Sequence, residues 1–339
     1  MRAIYIVKFG DADKAFEIRQ VAKPVPKPGE VLIKIDGFGL NFADVHARKG
    51  IYRDAPAIPF IPGYDVCGYI EQTGNEVTGL SEGDRVAAFT HFGGYAEYAT
   101  VDYRVVLKIS DKPNVAEATA LLTQYCTAYY CAAIAANISE GDKVLIHAAA
   151  GGVGVGLLQY AAHKGCEIIA ATSSEWKKEF LMQAGVLKIV NSATDDFVEY
   201  VNQITRGKGV DAIFDALGGS SVRRGMKILS PGGKMICYGA ASMSNATNIF
   251  SRIATILQFG IYHPGLLMLN SKGIIGVSML KIALEKPELF QRCLHDVVKL
   301  YEQKVFQPVA FNIFKAEQIA SAHRFLEEKK SIGKVACAW

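Results

Sequence analysis

The chain lacks every common metal-binding spacing. Its seven histidines, at 46, 91, 147, 163, 263, 295 and 323, form no HExxH and no pairing with acids, and its seven cysteines, at 67, 126, 131, 166, 237, 293 and 337, form no CxxC. An odd number of cysteines in mostly apolar surroundings predicts reduced, buried thiols and a cytoplasmic location. Blocks of lysine are missing too. The net charge of +4 is spread along 339 residues, which argues against nucleic acid as the main partner. No apolar secretion segment opens the chain, because MRAIYIVKFG reads as a strand interrupted by Lys8. Two stretches without charge, 118 to 138 and 144 to 162, reach the length of a membrane span. The first carries Thr119, Thr123, Gln124, Tyr125, Thr127 and Asn137 and the second a glycine turn, so both read as buried globular elements and no transmembrane segment is expected. Half of the residues are hydrophobic, enough for two domains that need neither disulfides nor a structural metal. There is no internal repeat.

What is present is the run GDKVLIHAAAGGVGVGLLQYAAHKG, residues 141 to 165. Val144, Leu145 and Ile146 make a short apolar strand, Gly151, Gly152 and Gly154 a turn, and Leu157, Leu158 and Ala161 a helix by their spacing. Glycine lets backbone N–H groups come close to phosphate oxygens, and the first turn of a helix offers unpaired donors at the positive end of its dipole. A dinucleotide is the implied ligand, although a glycine turn of this kind also serves packing alone. The context favours the dinucleotide, because strands and helices alternate after it. Ile168 to Ala170 form a second strand, EWKKEFLMQAG a helix, Ile189 and Val190 a third strand, and DDFVEYVNQIT a helix. VDAIFDALGG reads as the fourth strand with its turn, RRGMKILSPGG as a helix, and KMICYGA as the fifth strand. The implied fold class is α/β, a doubly wound parallel sheet with its ligand at the carboxyl ends of the strands.

The second strand ends in Thr172-Ser173-Ser174, with Lys177 one turn into the next helix, where an NAD enzyme usually carries an acid for the adenosine ribose. Hydroxyls and an ammonium suit a 2′-phosphate, so NADPH is the expected cofactor. Glu175 complicates this, being close enough in sequence to be that acid itself.

Residues 1 to 110 have a different texture. EVLIKIDGFGLN, DVCGYIEQTG, GDRVAAFT and GGYAEYATV alternate apolar runs with glycine and proline, as an antiparallel β-domain or small barrel does. EATALLTQYCTAYYCAAI then leads as helix into the nucleotide sheet. ATILQFGIYHPGLLML, 254 to 269, is broken by Gly260 and His263-Pro264 and reads as a helical insertion that covers a cleft or a subunit interface. IIGVSML, 274 to 280, reads as a sixth strand, LFQRCLHDVVKLYEQ as an amphipathic helix, and VACAW as a last strand. The expected division is a mostly β catalytic domain from 1–120 and 283–339, into which a nucleotide-binding domain, 121–282, is inserted.

The chain resembles, almost end to end, the medium-chain dehydrogenase/reductase superfamily, and within it the zinc-free quinone oxidoreductases related to zeta-crystallin. GLNFADVHARKGIY (39–52), PFIPGYDVCGYI (59–70), GDRVAAF (83–89), GGYAEYA (93–99), LLTQYCTAYY (121–130), AAAGGVG (148–154) and IGKV (332–335) fall in that family's order. LLTQYCTAYY and DALGGSSVRRGMKILSPGGKMICYGAAS look most like the vesicle amine transport protein homologue branch. The resemblance implies a Rossmann sheet inserted into a GroES-like catalytic domain. It places Asn41, Tyr64 and Thr123 where zinc-dependent relatives hold a catalytic metal, and no such trio makes a zinc set, so metal ligands are expected to be none. Without a Lewis acid, the acceptor must spread incoming charge over its own π system, as a quinone or conjugated enone does.

The resemblance further implies Asn41, Tyr52 and Asp44 as the catalytic group, with Asp44 either fixing the loop or touching the cofactor. Thr127, Gly151, Gly152, Val153 and Gly154 are implied at the nicotinamide phosphate and pyrophosphate, Ser173, Ser174 and Lys177 at the 2′-phosphate, and Tyr238 and Gly239 beside the ribose and nicotinamide. Asn191-Ser192 stands where relatives often carry a tyrosine near the adenine, and Asp65 replaces the family's glutamate. Lys329 or Lys330 is a further phosphate candidate against the plainer reading of a solvated charge run. A homodimer through the edge of IIGVSML is implied. Three classes of function stay open: an NADPH-dependent reductase, an NADPH-binding structural or regulatory protein with little turnover, and a peripheral membrane or RNA-associated factor, which would require a basic patch where none stands out in the sequence.

Overall fold

The computed structural model describes residues 1–245 and 249–339. The chain divides into two compact units, one built from Met1–Cys126, Met279–Lys299 and Pro308–Trp339, the other from Thr127–Ser278 and Leu300–Gln307.

The second unit carries six parallel strands in the spatial order Lys188–Asn191, Glu167–Thr172, Lys143–Ile146, Val210–Asp215, Leu229–Cys237, Gly273–Gly276. In chain order this is 3-2-1-4-5-6, the doubly wound arrangement implied by the alternation, and the direction of winding reverses between the first and fourth strands. Strands covered on both faces must be apolar throughout, and Leu145, Ile169, Val190, Ile213 and Met235 accordingly form one core. The run 144–162 is cut into strand and helix, and no helix of the described residues is long and apolar enough to cross a membrane.

Two expectations fail locally. RRGMKILSPGG is not one helix: the helix is Ser220–Gly225, and LSPGG opens the fifth strand, Leu229–Cys237. Pro231 cannot continue a helix, and the pairing with Val210–Asp215 slips between Leu229 and Lys234 to absorb the Pro-Gly-Gly step. IIGVSML is strand only over Gly273–Gly276; buried Met279, Leu280 and Ala283 fall at helical spacing and belong to the helix Met279–Glu285. The insertion forms two helices, Ile249–Gln258 and Pro264–Leu269, as its pattern implies; Phe259 and Tyr262 pack against the sheet core, while Leu257 is 66% exposed and Ile261 94%.

In the first unit the strands run Ala310–Lys315, Lys334–Ala338, Glu30–Leu40, Asp65–Thr73, Arg85–Phe89, Val106–Lys108, with Tyr98–Asp102 also paired to Glu30–Leu40. All pairs are antiparallel except the first, and among the described residues this path of pairing does not close on itself. Ile33, Ile35, Phe38, Val66, Val86, Tyr95 and Val335 fill the core. Two registers bring residues distant in sequence to the end of the long strand. Val335 lies opposite Leu40, which sets Lys334 across from Asn41, and Val66 lies opposite Phe38, which sets Asp65 across from Gly39.

Candidate functional site

Asn41 ends the long strand Glu30–Leu40 and opens the helix Phe42–Arg48. Its backbone N–H donates to Asp44 Oδ2 at 2.8 Å, while its side chain turns to the neighbouring strands. Asn41 Nδ2 donates to Asp65 Oδ2 at 2.9 Å, and Lys334 Nζ donates to Asn41 Oδ1 at 3.0 Å and to Asp65 Oδ2 at 2.7 Å. Lys334 and Asp65 are both fully buried. A buried ion pair is tolerated when each charge is also hydrogen-bonded, and the Asn41 amide gives a further partner to both charges, at Lys334 Nζ and Asp65 Oδ2, while Asp65 Oδ1 has none among the described residues. The room comes from Gly39, where a Cβ would overlap Asp65 Oδ1 and Lys334 Cε.

Tyr52 and Tyr64 meet edge to face with ring centroids 6.0 Å apart, and Tyr64 packs on against Phe89 and Phe92. Burial lifts both phenols above the ordinary tyrosine range, so they stay O–H donors through neutral pH. Asp44 is fully buried, and burial pushes its carboxyl up to about 7. Behind it Tyr95 Oη lies 3.2 Å from His323 Nε2, both residues fully buried, and Arg48 pairs with Glu327. Asp44 thus accepts the backbone N–H at the turn that carries Asn41.

That shift makes stability depend on pH. Folding raises the Asp44 pKa, so the folded chain holds this proton more tightly than the unfolded chain. The resulting stabilisation is complete below about pH 4 and is lost as pH climbs through about 7. Asp44→Asn, which resembles the protonated form, should lose less stability than the wild type between pH 5 and 7, by about 2 kcal/mol. Thermal or urea unfolding at several pH values reads this directly; parallel curves for the two proteins would remove the assignment.

In the second unit, Gly151 is the N-cap of the helix Gly152–His163, whose first turn begins directly beyond the Lys143–Ile146 strand and the Ala148-Ala149-Ala150 step. Val153 lies in that first turn. Gly154 is buried where a Cβ would strike the Ala148 and Ala149 carbonyls, so here glycine serves close packing of helix against turn. Thr127 is buried in the helical run Val115–Ala136, which widens to π geometry over Ala120–Tyr125 and Tyr130–Ala136. Tyr238 donates its N–H to Asp215 O at 3.0 Å, and Gly239 approaches Ala216 so closely that a Cβ would lie 2.7 Å from its carbonyl oxygen.

At the end of Glu167–Thr172, Ser173 is exposed and Ser174 caps the helix Glu175–Gln183. Lys177 is buried one turn on, its Nζ 5.3 Å from the Trp176 ring. Glu175 is turned elsewhere: its carboxylate accepts from Asn191 Nδ2 at 3.1 Å and lies 3.3 Å from Lys178 Nζ. The donor set of a helix N-terminus, two serines and a lysine fits a phosphate monoester. Lys330 pairs with Glu328 at 2.5 Å, in keeping with the solvated charge run.

The structure also assembles residues to which sequence spacing gave no role. Lys334 is the first, and the strand IGKVACAW gave one signal, a lone charge in an otherwise apolar run. Asp215 is the second: its carboxylate accepts from Leu217 N, Gly218 N and Ser221 Oγ at 3.0, 2.6 and 2.5 Å and so shapes the turn after the fourth strand. His147 stands 3.9 Å from it with neither ring nitrogen hydrogen-bonded among the described residues, and burial keeps it neutral.

Residues 27–111 match the family model for the alcohol dehydrogenase GroES-like domain, and residues 152–294 the model for zinc-binding dehydrogenase. The synaptic vesicle membrane protein VAT-1 homolog of Danio rerio is 33% identical over 336 residues, 98% of this chain and 69% of that protein. The human quinone oxidoreductase is 28% identical over 324 residues, 95% and 93% of the two chains. A mycobacterial protein solved in complex with NADPH superimposes with a TM-score of 0.87 at 27% identity, covering 100% of both chains. The CurK enoyl reductase gives 0.86 at 26%, covering 99% of this chain and 98% of the other.

Zinc, which one family description carries, does not suit the residues present. An ammonium already lies 3.0 Å from Asn41 Oδ1, Tyr64 is a phenol held in an aromatic cluster, and among the described residues no group of three or more His, Cys, Asp or Glu is placed to hold a metal. Similarity that runs the length of both units, at 33% identity to one VAT-1 homologue, makes the chain a member of the medium-chain dehydrogenase/reductase family.

Proposed function

We propose that the chain is an NADPH-dependent, zinc-independent oxidoreductase that delivers reducing equivalents to a small quinone or conjugated enone. The observation that carries this reading is the Asn41 cluster, in which an amide donor is fixed by a buried lysine and aspartate where zinc-dependent relatives place a metal ligand. NADPH, when bound, supplies the hydride. Thr127, Gly151, Gly152, Val153 and Gly154 would hold its nicotinamide-side phosphates, Ser173, Ser174 and Lys177 its 2′-phosphate, and Tyr238 and Gly239 its ribose and nicotinamide. Hydride addition to an ordinary ketone concentrates charge on one oxygen, whereas a quinone or enone delocalises it. Neutral donors then suffice. Asn41 Nδ2 has a second hydrogen besides the one given to Asp65, and the Tyr52 hydroxyl stays protonated. Relatives named quinone oxidoreductase and enoyl reductase support the substrate class.

The test is spectrophotometric NADPH oxidation against a panel of quinones and enones, paired with direct titration of NADPH binding. Turnover with a conjugated acceptor and none with a saturated ketone is the expected result. Binding without oxidation would favour the second reading, a cofactor-binding structural or regulatory protein, for which the VAT-1 homologues named as vesicle membrane proteins are the supporting observation.

We further infer a homodimer in a reducing, cytoplasmic setting. All seven cysteines are free thiols. The Gly273–Gly276 strand ends its sheet, and the exposed Leu257 and Ile261 belong to the insertion that precedes it, ahead of the helix Pro264–Leu269. An open strand edge beside apolar residues is a surface that a second copy covers. Analytical ultracentrifugation should give twice the chain mass for the wild type and one chain mass for Leu257→Asp/Ile261→Asp; a monomeric wild type removes the inference.

A further inference from the structure

We propose that Lys334 and Asp65 are positioning residues that fix which way round the Asn41 amide stands, so that its nitrogen and not its oxygen is available to the electron acceptor. This rests on the reading of Asn41 as the acceptor's hydrogen-bond donor and adds to it the device that makes the donor dependable.

An asparagine side chain is nearly symmetric in shape but opposite in hydrogen-bonding character at its two ends. A lone amide therefore flips at little cost. Here the two ends meet opposite charges. Oδ1 accepts from Lys334 Nζ at 3.0 Å, and an ammonium has only hydrogens to offer; Nδ2 donates to Asp65 Oδ2 at 2.9 Å, and a carboxylate has only lone pairs. Rotating the amide by half a turn would set N–H against N–H and lone pair against lone pair at once, between two fully buried charges. The lysine and aspartate are themselves joined at 2.7 Å, so neither moves aside independently. Opposite the pair, Gly39 has no Cβ to push Asp65 or Lys334 out of line. The backbone is pinned as well, because the Asn41 N–H is taken by the buried Asp44. The side-chain amide is held at both ends and the backbone at a third point, and the second Nδ2 hydrogen is the polar group left over.

The family's metal polarises by charge and needs no handedness. A neutral amide does need it, because the wrong end presented to a developing negative oxygen is repulsive. The buried ion pair is what this chain's own residues supply instead.

Lys334→Met alone would strand the Asp65 charge and risk the fold, so the informative variant is Lys334→Met/Asp65→Asn, which removes both charges at near-constant volume. Selective ¹⁵N-asparagine labelling isolates the Asn41 Nδ2 hydrogens, assigned by their loss in Asn41→Ala. In the wild type the Nδ2 hydrogen given to Asp65 should exchange slowly, and in the double variant faster by about tenfold or more. Exchange in the wild type as fast as for an exposed asparagine, or an unchanged rate in the variant, would overturn the proposal. In steady-state assays at saturating NADPH, kcat should fall about tenfold in the double variant with an unchanged NADPH dissociation constant, and the same charge removal should cost nothing further in an Asn41→Ala background. An equal additional loss in that background would mean that the pair acts on the fold generally and would also overturn it. If the wild type reduces no quinone or enone, the functional reading fails, while the exchange measurement still decides whether the amide is locked.

Discussion

Replacing Asn41 by alanine is expected to lower kcat for quinone or enone reduction by about 10²-fold, with NADPH affinity changed by less than about twofold. The first number reflects loss of one fixed donor at an oxygen that gains charge in the transition state. The second reflects place, since Asn41 belongs to the β unit while the glycine turn and the serine–lysine set belong to the nucleotide unit. Removing the amide also takes a partner from Lys334 and Asp65, which should cost about 1 to 3 kcal/mol of stability. Assays must therefore run well below the variant's melting temperature, with a thermal melt recorded beside them. Asn41→Asp separates the chemistry from packing. It keeps the volume and the contact to Lys334, but places a carboxylate oxygen against the buried Asp65 and leaves no N–H donor, so it should be at least as inactive and, through that repulsion, less stable than the wild type. Equal turnover in Asn41→Ala and wild type would remove Asn41 from the reaction.

The same residue shows where a sequence can and cannot be read. In Gly39-Leu40-Asn41 the asparagine has the residue type of a turn or helix cap, and nothing in that tripeptide says that its side chain bonds to neighbouring strands. The decision is made by Lys334, which is 293 residues away and arrives through the pairing of Val335 with Leu40. A register between distant antiparallel strands leaves no local mark. The nucleotide sheet is different, because each strand is followed within a few residues by the glycine or cap that ends it. Lys143–Ile146, Gly151 and the helix Gly152–His163 were legible as one unit for that reason. Legibility fails where two signals conflict. Arg223 to Gly233 has helical apolar spacing, but Pro231-Gly232-Gly233 cannot be helix, and only the slipped pairing with Val210–Asp215 shows that the strand restarts there. Met279 and Leu280 likewise continue an apolar run that periodicity alone assigns to the preceding strand.

At the other candidate subsite, Lys177→Ala should weaken NADPH binding by about 10²-fold and leave NADH binding within about twofold of wild type. The argument is electrostatic. Lys177 is held close to the end of the second strand, buried and with its ammonium beside the Trp176 ring, while Glu175, the acid that follows the two serines, is occupied by Asn191 and Lys178. A dianionic phosphate brought there gains a nearby cation and the hydroxyls of Ser173 and Ser174; a ribose 2′-hydroxyl gains neither charge interaction nor an acid to accept its hydrogen. Titration of both cofactors into both proteins, by calorimetry or by the fluorescence of nearby Trp176, gives the four dissociation constants needed, and an unchanged NADPH constant in the variant would remove Lys177 from the site. Acidity provides a control that needs no mutation. A phosphate monoester takes up its second proton near pH 6, so the wild-type preference for NADPH over NADH should shrink as pH falls from 7 to 5, whereas Lys177→Ala, which has little preference to lose, should change far less over the same range.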